Sequence, residues 1–165
     1  MHEALTRQLN HEFYSSYVYL SMASWLEDNS LRGVASWFRV QAQEELAHAM
    51  IVHNYMLDRD ARVVLRAIEQ PQAEFSGLRN VFEIALAHER DVTKRFNAIA
   101  ALASEERDFA TSNFTQYFID EQVEEEASFR DIIDQLKLVG DNGHAIFMLD
   151  KELGTRVFVL PPQLS

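Results

Sequence analysis

Carboxylates, one imidazole and one carboxamide stand in this chain where helical spacing calls for leucine. Glu12, Glu45 with His48, Glu89, and Gln122 with Glu125 each interrupt the middle of an apolar stripe written at i, i+3, i+4, i+7. An unpaired buried carboxylate is costly, so four such interruptions need a compensating charge, and a bound cation is the simplest one. Glu45 and His48 are spaced i, i+3 and project from one helix face toward the same point; Gln122 and Glu125 repeat that spacing. Four helices that deliver single glutamates and Glu-x-x-His pairs into a bundle core form a dinuclear carboxylate site, with one glutamate bridging two metals. Oxygen-rich ligation with one imidazole suits Fe(II), and equally Mn(II), Co(II) or Zn(II). A carboxamide in place of a charged ligand predicts a weaker, labile site, suited to metal that passes through.

Four long helices and a short fifth must position these groups. The stripes predict helices over about 3–28, 31–58, 78–103, 108–139 and 144–153, all within a single domain spanning residues 1–165. Asn29-Ser30 breaks the first pair, a polar turn around Ser104 to Arg107 breaks the second, and Asp108 is the expected N-cap of the fourth helix. Gly140-Asp141-Asn142-Gly143 supplies a stop, and Pro161-Pro162 closes the chain in what reads as a loose tail. Glu12 lies 17 residues before the turn near Asn29 and Glu45 lies 16 after it; Glu89 lies 17 before Glu106 and Gln122 lies 16 after it. Equal distances from a hairpin turn mean equal heights, roughly 24 Å at 1.5 Å per residue. Each hairpin therefore brings its own ligands level. The segment from Arg59 to Ser76 is too long for a link between adjacent helix ends, and can span roughly 60 Å, enough to return along the whole bundle. The expected fold is all-α, a four-helix bundle with a long crossover between its second and third helices and a short C-terminal helix.

Composition closes off other readings. Five glycines and three prolines in 165 residues suit long helices. A net charge of −11 argues against nucleic acid as a partner and is compatible with attracting cations. The absence of cysteine excludes disulfides, thiolate metal sites and thiol catalysis. The N-terminal residues carry no apolar signal segment, and no run approaches about 18 apolar residues, so the expected location is the cytoplasm, without membrane contact. His2, His11, His53, His88 and His144 lack ligand-spaced partners and read as surface or packing residues, and Trp25 and Trp37 as core or interface filler.

The segments NHEFYSSYVYLSMASW, AQEELAHA, AHER and DEQVEEE, with DKEL in the short last helix, resemble the bacterial non-haem ferritins in order and over nearly the full chain. The resemblance implies a ferritin-like fold in which Glu12, Glu45, His48, Glu89 and Gln122 bind two ferroxidase irons, with Glu45 bridging. It implies a third iron site from Glu44, Glu121, Glu124 and Glu125, and a tyrosine, Tyr19, that can donate an electron during oxygen reduction. It further implies a 24-subunit cage, with the fifth helix around the fourfold axes, that oxidises Fe(II) with O2 or H2O2 and stores the ferric product. Bacterioferritins are similar but carry Glu-x-x-His on the fourth helix and a haem-ligating methionine; here that helix reads Gln122-Val123-Glu124-Glu125, so haem is not expected. Rubrerythrin-like peroxidases add a cysteine-ligated iron, which this chain cannot supply. The alternatives are another di-iron carboxylate oxidase or peroxidase, or a haem-binding variant. Tyr117 stands near where the family often has a tryptophan.

Overall fold

The first two apolar stripes close as a hairpin of two 27-residue helices, α1 (His2–Asp28) and α2 (Arg32–Asp58), joined through Ser30 in a left-handed conformation (φ 65°). The next two form a second hairpin, α3 (Leu78–Glu106) and α4 (Phe109–Val139), and α5 (Gly143–Leu153) follows. The computed structural model describes residues 1–164, and no strand occurs among them. Among the described residues, no helix is long and apolar enough to cross a membrane.

The third helix runs three residues beyond the boundary expected from the sequence. Within the α3–α4 turn, Arg107 alone adopts the left-handed conformation (φ 56°). Asp108 then caps α4, accepting from the Thr111 N–H at 3.2 Å and the Thr111 hydroxyl at 2.7 Å. A two-residue turn suffices, so Ser104 to Glu106 stay helical. Arg59, just past the end of α2, donates through both terminal nitrogens to the Asp108 carboxylate at 3.0 and 3.2 Å, tying that end of the bundle together.

The connection between α2 and α3 is a strap along α1. Arg62 O meets His2 Nε2 at 2.9 Å, Val64 O accepts from Asn10 Nδ2 at 3.0 Å, and the Arg66 N–H donates to Asn10 Oδ1 at 2.6 Å. Further on, Gln72 O accepts from Ser21 Oγ at 2.7 Å, and Phe75 packs edge-on against Trp25. The strap climbs from the first turn of α1 to its last, about 35 Å at helical rise, and delivers α3 to the end where α2 began. So α3 runs parallel to α2 and antiparallel to α1, the crossover topology that the loop length demanded.

Two apolar clusters fill the bundle. One holds Leu26, Phe38, Phe82, Phe129 and Ile133; the other holds Leu9, Val52, Met56, Phe96 and Phe118. The buried carboxylates Glu12, Glu45, Glu89 and Glu125, with His48, Gln41 and Gln122, lie between them, at the waist.

The C-terminal segment departs from expectation. It is not loose. α5 lies across the start of α2, where the Val34 N–H donates to the buried Asp150 Oδ1 at 3.0 Å. A Cβ on Gly33 would fall 1.7 Å from the Asp150 carbonyl oxygen, so only glycine permits this crossing. The docking aims the tail along α2: Arg156 bonds to Gln41 and Glu44, and a single 3-10 turn, Pro162–Leu164, packs Leu164 against the second apolar cluster.

Candidate metal centre

Helical phase places the waist residues before any ligand does. Glu12 on α1 and Glu45 and His48 on α2 sit at matching heights of one hairpin, and the Ser16 hydroxyl donating to Ala42 O at 2.7 Å locks that register. One ligand atom from each of Glu12, Glu45 and His48 lies within 4.8 Å of the other two. All three are sealed from solvent, with exposures of 0%, 1% and 3%. The Gln8 side-chain amide donates to Glu12 Oε1 at 2.5 Å, and His48 Nδ1 is 3.7 Å from Glu45 Oε2. Among the described residues, Glu12 Oε2 and Glu45 Oε2 have no hydrogen-bond partner. Buried carboxylate oxygens are almost always bonded, so two orphans beside an imidazole fit a cation.

The second hairpin supplies the facing wall. Glu89 on α3 is fully buried; the Tyr19 hydroxyl donates to its Oε1, and Gln122 Nε2 on α4 donates to its Oε2 at 2.9 Å and to its carbonyl at 3.2 Å. Tyr19 is packed among Phe38, Phe129 and His88. Glu125, also buried, accepts from Gln41 Nε2 at 2.8 Å.

The electrostatics all point one way. Burial, then the neighbouring Glu45, pushes the Glu12 carboxyl well above its ordinary range; burial, then Glu89, does the same to Glu45. Glu89 is raised to about 8 by burial and by Glu125, against the lowering bonds from Tyr19 and Gln122. Glu44 is raised to about 7 by burial, with Arg156 opposing. Burial also lifts Glu121, and holds the Tyr19 phenol protonated far above its usual range. Such a cluster binds protons or metal ions to relieve its own repulsion.

Of the residues expected from the sequence, Glu12, Glu45 and His48 converge. Glu89 faces them with Tyr19 and Gln122 attached. Gln122 presents an N–H to Glu89, so in this geometry it positions that carboxylate. Glu44 lies at the edge of the site, Glu121 is partly buried, and Glu124 is exposed. His11 and His88 prove to be packing residues: their rings are 5.2 Å apart, His88 meets the Ser15 hydroxyl at 2.7 Å, and burial holds them down to about 3 and about 4. Gln8 and Arg156 escaped the sequence reading. Gln8 precedes Glu12 by one turn, a spacing that could have revealed it; no periodic signal marks Arg156.

Sealed carboxylates and an imidazole at the waist of a crossover four-helix bundle define a helical bundle of ferritin-like architecture with a candidate metal centre. A family model described as a ferritin-like domain matches residues 2–139. The chain is 42% identical to the bacterial non-heme ferritin of Staphylococcus saprophyticus over 94% of its length and 93% of the relative's, and 40% identical to that of Staphylococcus aureus over 94% of each. Among solved structures, an engineered closed form of the Archaeoglobus fulgidus ferritin superposes with a TM-score of 0.94 at 48% identity, covering 95% of this chain and 96% of that one. The open-pore ferritin of the same archaeon superposes with a TM-score of 0.93 at 47% identity, covering 94% and 95%. The chain belongs to the ferritin family, on its bacterial non-haem branch. Family and fold support an iron-storage ferritin.

Proposed function

We propose that the protein oxidises Fe(II) at an intrasubunit centre and stores the ferric product inside a homo-oligomeric cage on the order of two dozen subunits. The observation that carries this reading is the pair of orphaned oxygens on Glu12 and Glu45 beside His48. One Fe(II) binds Glu12, Glu45 and His48; a second binds Glu45 from its other side with Glu89. Tyr19 and Gln122 hold the Glu89 carboxylate in place, and Gln8 does the same for Glu12.

Each Fe(II) gives one electron, and O2 takes the two and leaves as hydrogen peroxide; when H2O2 is the oxidant it leaves as water. Hydrolysis of the two Fe(III) to oxyhydroxide consumes water and releases protons, and the ferric product leaves toward the cavity. In full reduction of O2 to two waters, a third Fe(II) at the flanking site and Tyr19, bonded to Glu89, would supply the third and fourth electrons. Glu44, Glu121, Glu124 and Glu125 form the flanking third site on the way out. The protein contributes position and charge compensation, and the electron transfer belongs to the metal.

One purified sample tests this. Size-exclusion chromatography with iron analysis, after aerobic Fe(II) addition, is expected to give a large particle holding hundreds of irons. A monodisperse monomer or simple dimer at micromolar concentration would sink the storage reading. A cage that fills only to two or three irons per subunit would instead favour a di-iron enzyme acting on another substrate.

A further inference from the structure

The tail carries a fixed cation into the acidic edge of the centre. Arg156 Nη2 donates to Glu44 Oε2 at 2.5 Å and Nη1 donates to Gln41 Oε1 at 2.6 Å. Gln41 passes the bond on, its amide nitrogen donating to Glu125 Oε2 at 2.8 Å. The central carbon of the guanidinium lies over the Trp37 ring, 4.5 Å from its centroid. Among the described residues, Arg156 is the one lysine or arginine paired with a carboxylate of the centre or its flank. It does not hang there by chance of rotamer. The close crossing of Gly33 with Asp150, and of Gly154 with the Gly33 backbone, fixes where the tail leaves α5. The Trp37 ring then attracts the cation and holds it over its face.

We propose that Arg156 is a resident counter-cation of the flanking site: it occupies Glu44 in the unloaded protein, is displaced when a divalent ion binds there, and keeps that site weak enough for iron to move on. Two facts carry this. The guanidinium stays charged at any physiological pH, so it offsets part of the Glu44 charge whatever the solution pH. It also engages the carboxylate oxygen that a metal at Glu44 would share, and like charges at that separation repel. The bond chain through Gln41 reaches Glu125, so an ion arriving at the flank frees Glu44 and loosens the anchor of the amide that holds Glu125. Arg156 is thus a positioning residue, acting on metal through Glu44. The inference rests on the proposed iron centre and goes beyond it by assigning the element that sets affinity at the flank.

The test uses the assembled, metal-free, full-length protein with Trp25→Phe, so that Trp37 is the sole indole, titrated without oxygen with Zn(II) alone. Calorimetry counts equivalents and affinities, and Trp37 emission reports the guanidinium. The expected result is tight binding at the inner centre with little emission change. A weaker equivalent then follows whose binding changes Trp37 emission as Arg156 leaves. In Arg156→Gln that equivalent should tighten at least about tenfold, and the emission step should vanish. Arg156→Lys retains the charge and should keep the weak affinity. A wild-type titration in which the weak equivalent binds without any Trp37 response would overturn the proposal with no variant needed. So would an Arg156→Gln protein whose flanking affinity is unchanged or lower. If zinc binds nowhere, the centre and this inference fail together; if the inner equivalents bind and only the Arg156 dependence is missing, the inference fails alone.

Discussion

Gln122 donates its side-chain N–H to Glu89 Oε2 at 2.9 Å across the α3–α4 interface, and with the Tyr19 hydroxyl it favours the charged form of a carboxylate that burial, Glu125 and Glu12 disfavour. Gln122→Glu replaces a donor with a second anion. Without metal the variant should lose roughly 1–3 kcal/mol of stability, as expected for a buried hydrogen bond exchanged for repulsion. With metal the order reverses: Fe(III) is held more tightly and sustained turnover slows. Apo thermal unfolding and repeated aerobic iron additions measure the two halves, and faster sustained oxidation would contradict the second.

Glu45→Gln separates function from stability. Glu45 is buried beside Glu12 and Glu89 with one oxygen unpartnered, so the wild-type charge is a cost to folding. The amide keeps the shape and removes that cost. The apo variant should be at least as stable as wild type, still assembled, and without fast Fe(II) oxidation in stopped-flow absorbance. Oxidation at the wild-type rate would remove Glu45 from the centre; a loss of several kcal/mol in apo stability would mean that a structural partner holds it.

The pH dependence of the apo protein has a definite sign. Glu89 and Glu44 titrate at about 8 and about 7 when folded, raised chiefly by burial from 4.5. Between those values the unfolded chain has released protons that the folded chain keeps. Their contribution is therefore fully present below 4.5 and is lost as pH rises through the folded values. His11 and His88, lowered by burial from 6.5 to about 3 and about 4, act oppositely: their contribution is full above 6.5 and is lost as pH falls through the folded values. Above pH 6.5 only the carboxylates slope, so apo Tm should fall from pH 6.5 to 8. Saturating Zn(II), which needs deprotonated ligands, should reverse that trend. A flat or rising apo Tm over this interval would refute the assignment.

Much of this was legible in the sequence because helical phase is a local rule. The matched heights of Glu12, Glu45, Glu89 and Gln122 follow from counting residues to two turns, and the crossover follows from the length of one loop. The strap's path was not legible, since Asn10 has no pattern that marks it as the receiver of Val64 and Arg66. Nor was Arg156, which follows Gly154 beyond the last periodic segment; a tertiary crossing at Gly33 places it. The end of α3 was misjudged because Ser104 to Glu106 read as turn residues, whereas one left-handed Arg107 and the Asp108 cap make a shorter turn.

Gly33→Ala tests the crossing that holds the tail. The added methyl would overlap the Asp150 carbonyl, so α5 must shift and the Val34–Asp150 bond must lengthen or break. Overpacking of this kind costs roughly 1–3 kcal/mol. The bundle should keep its helicity while trypsin cleaves at Lys151 and Arg156 faster than in wild type, followed by mass spectrometry. Unchanged cleavage and unchanged Tm would show that the contact is not tight.

The two hairpins do not share the centre equally. Glu12, Glu45 and His48 all belong to α1 and α2, so they meet as soon as one local turn closes, whereas Glu89, Gln122 and Glu125 arrive only when the strap has brought the second hairpin alongside. Local closure precedes long-range docking in chains of this topology. A nascent subunit is thus expected to acquire a three-donor group before it acquires a complete bundle. A metal ion captured at that stage would favour the correct pairing of α1 with α2 and template the docking face for α3 and α4.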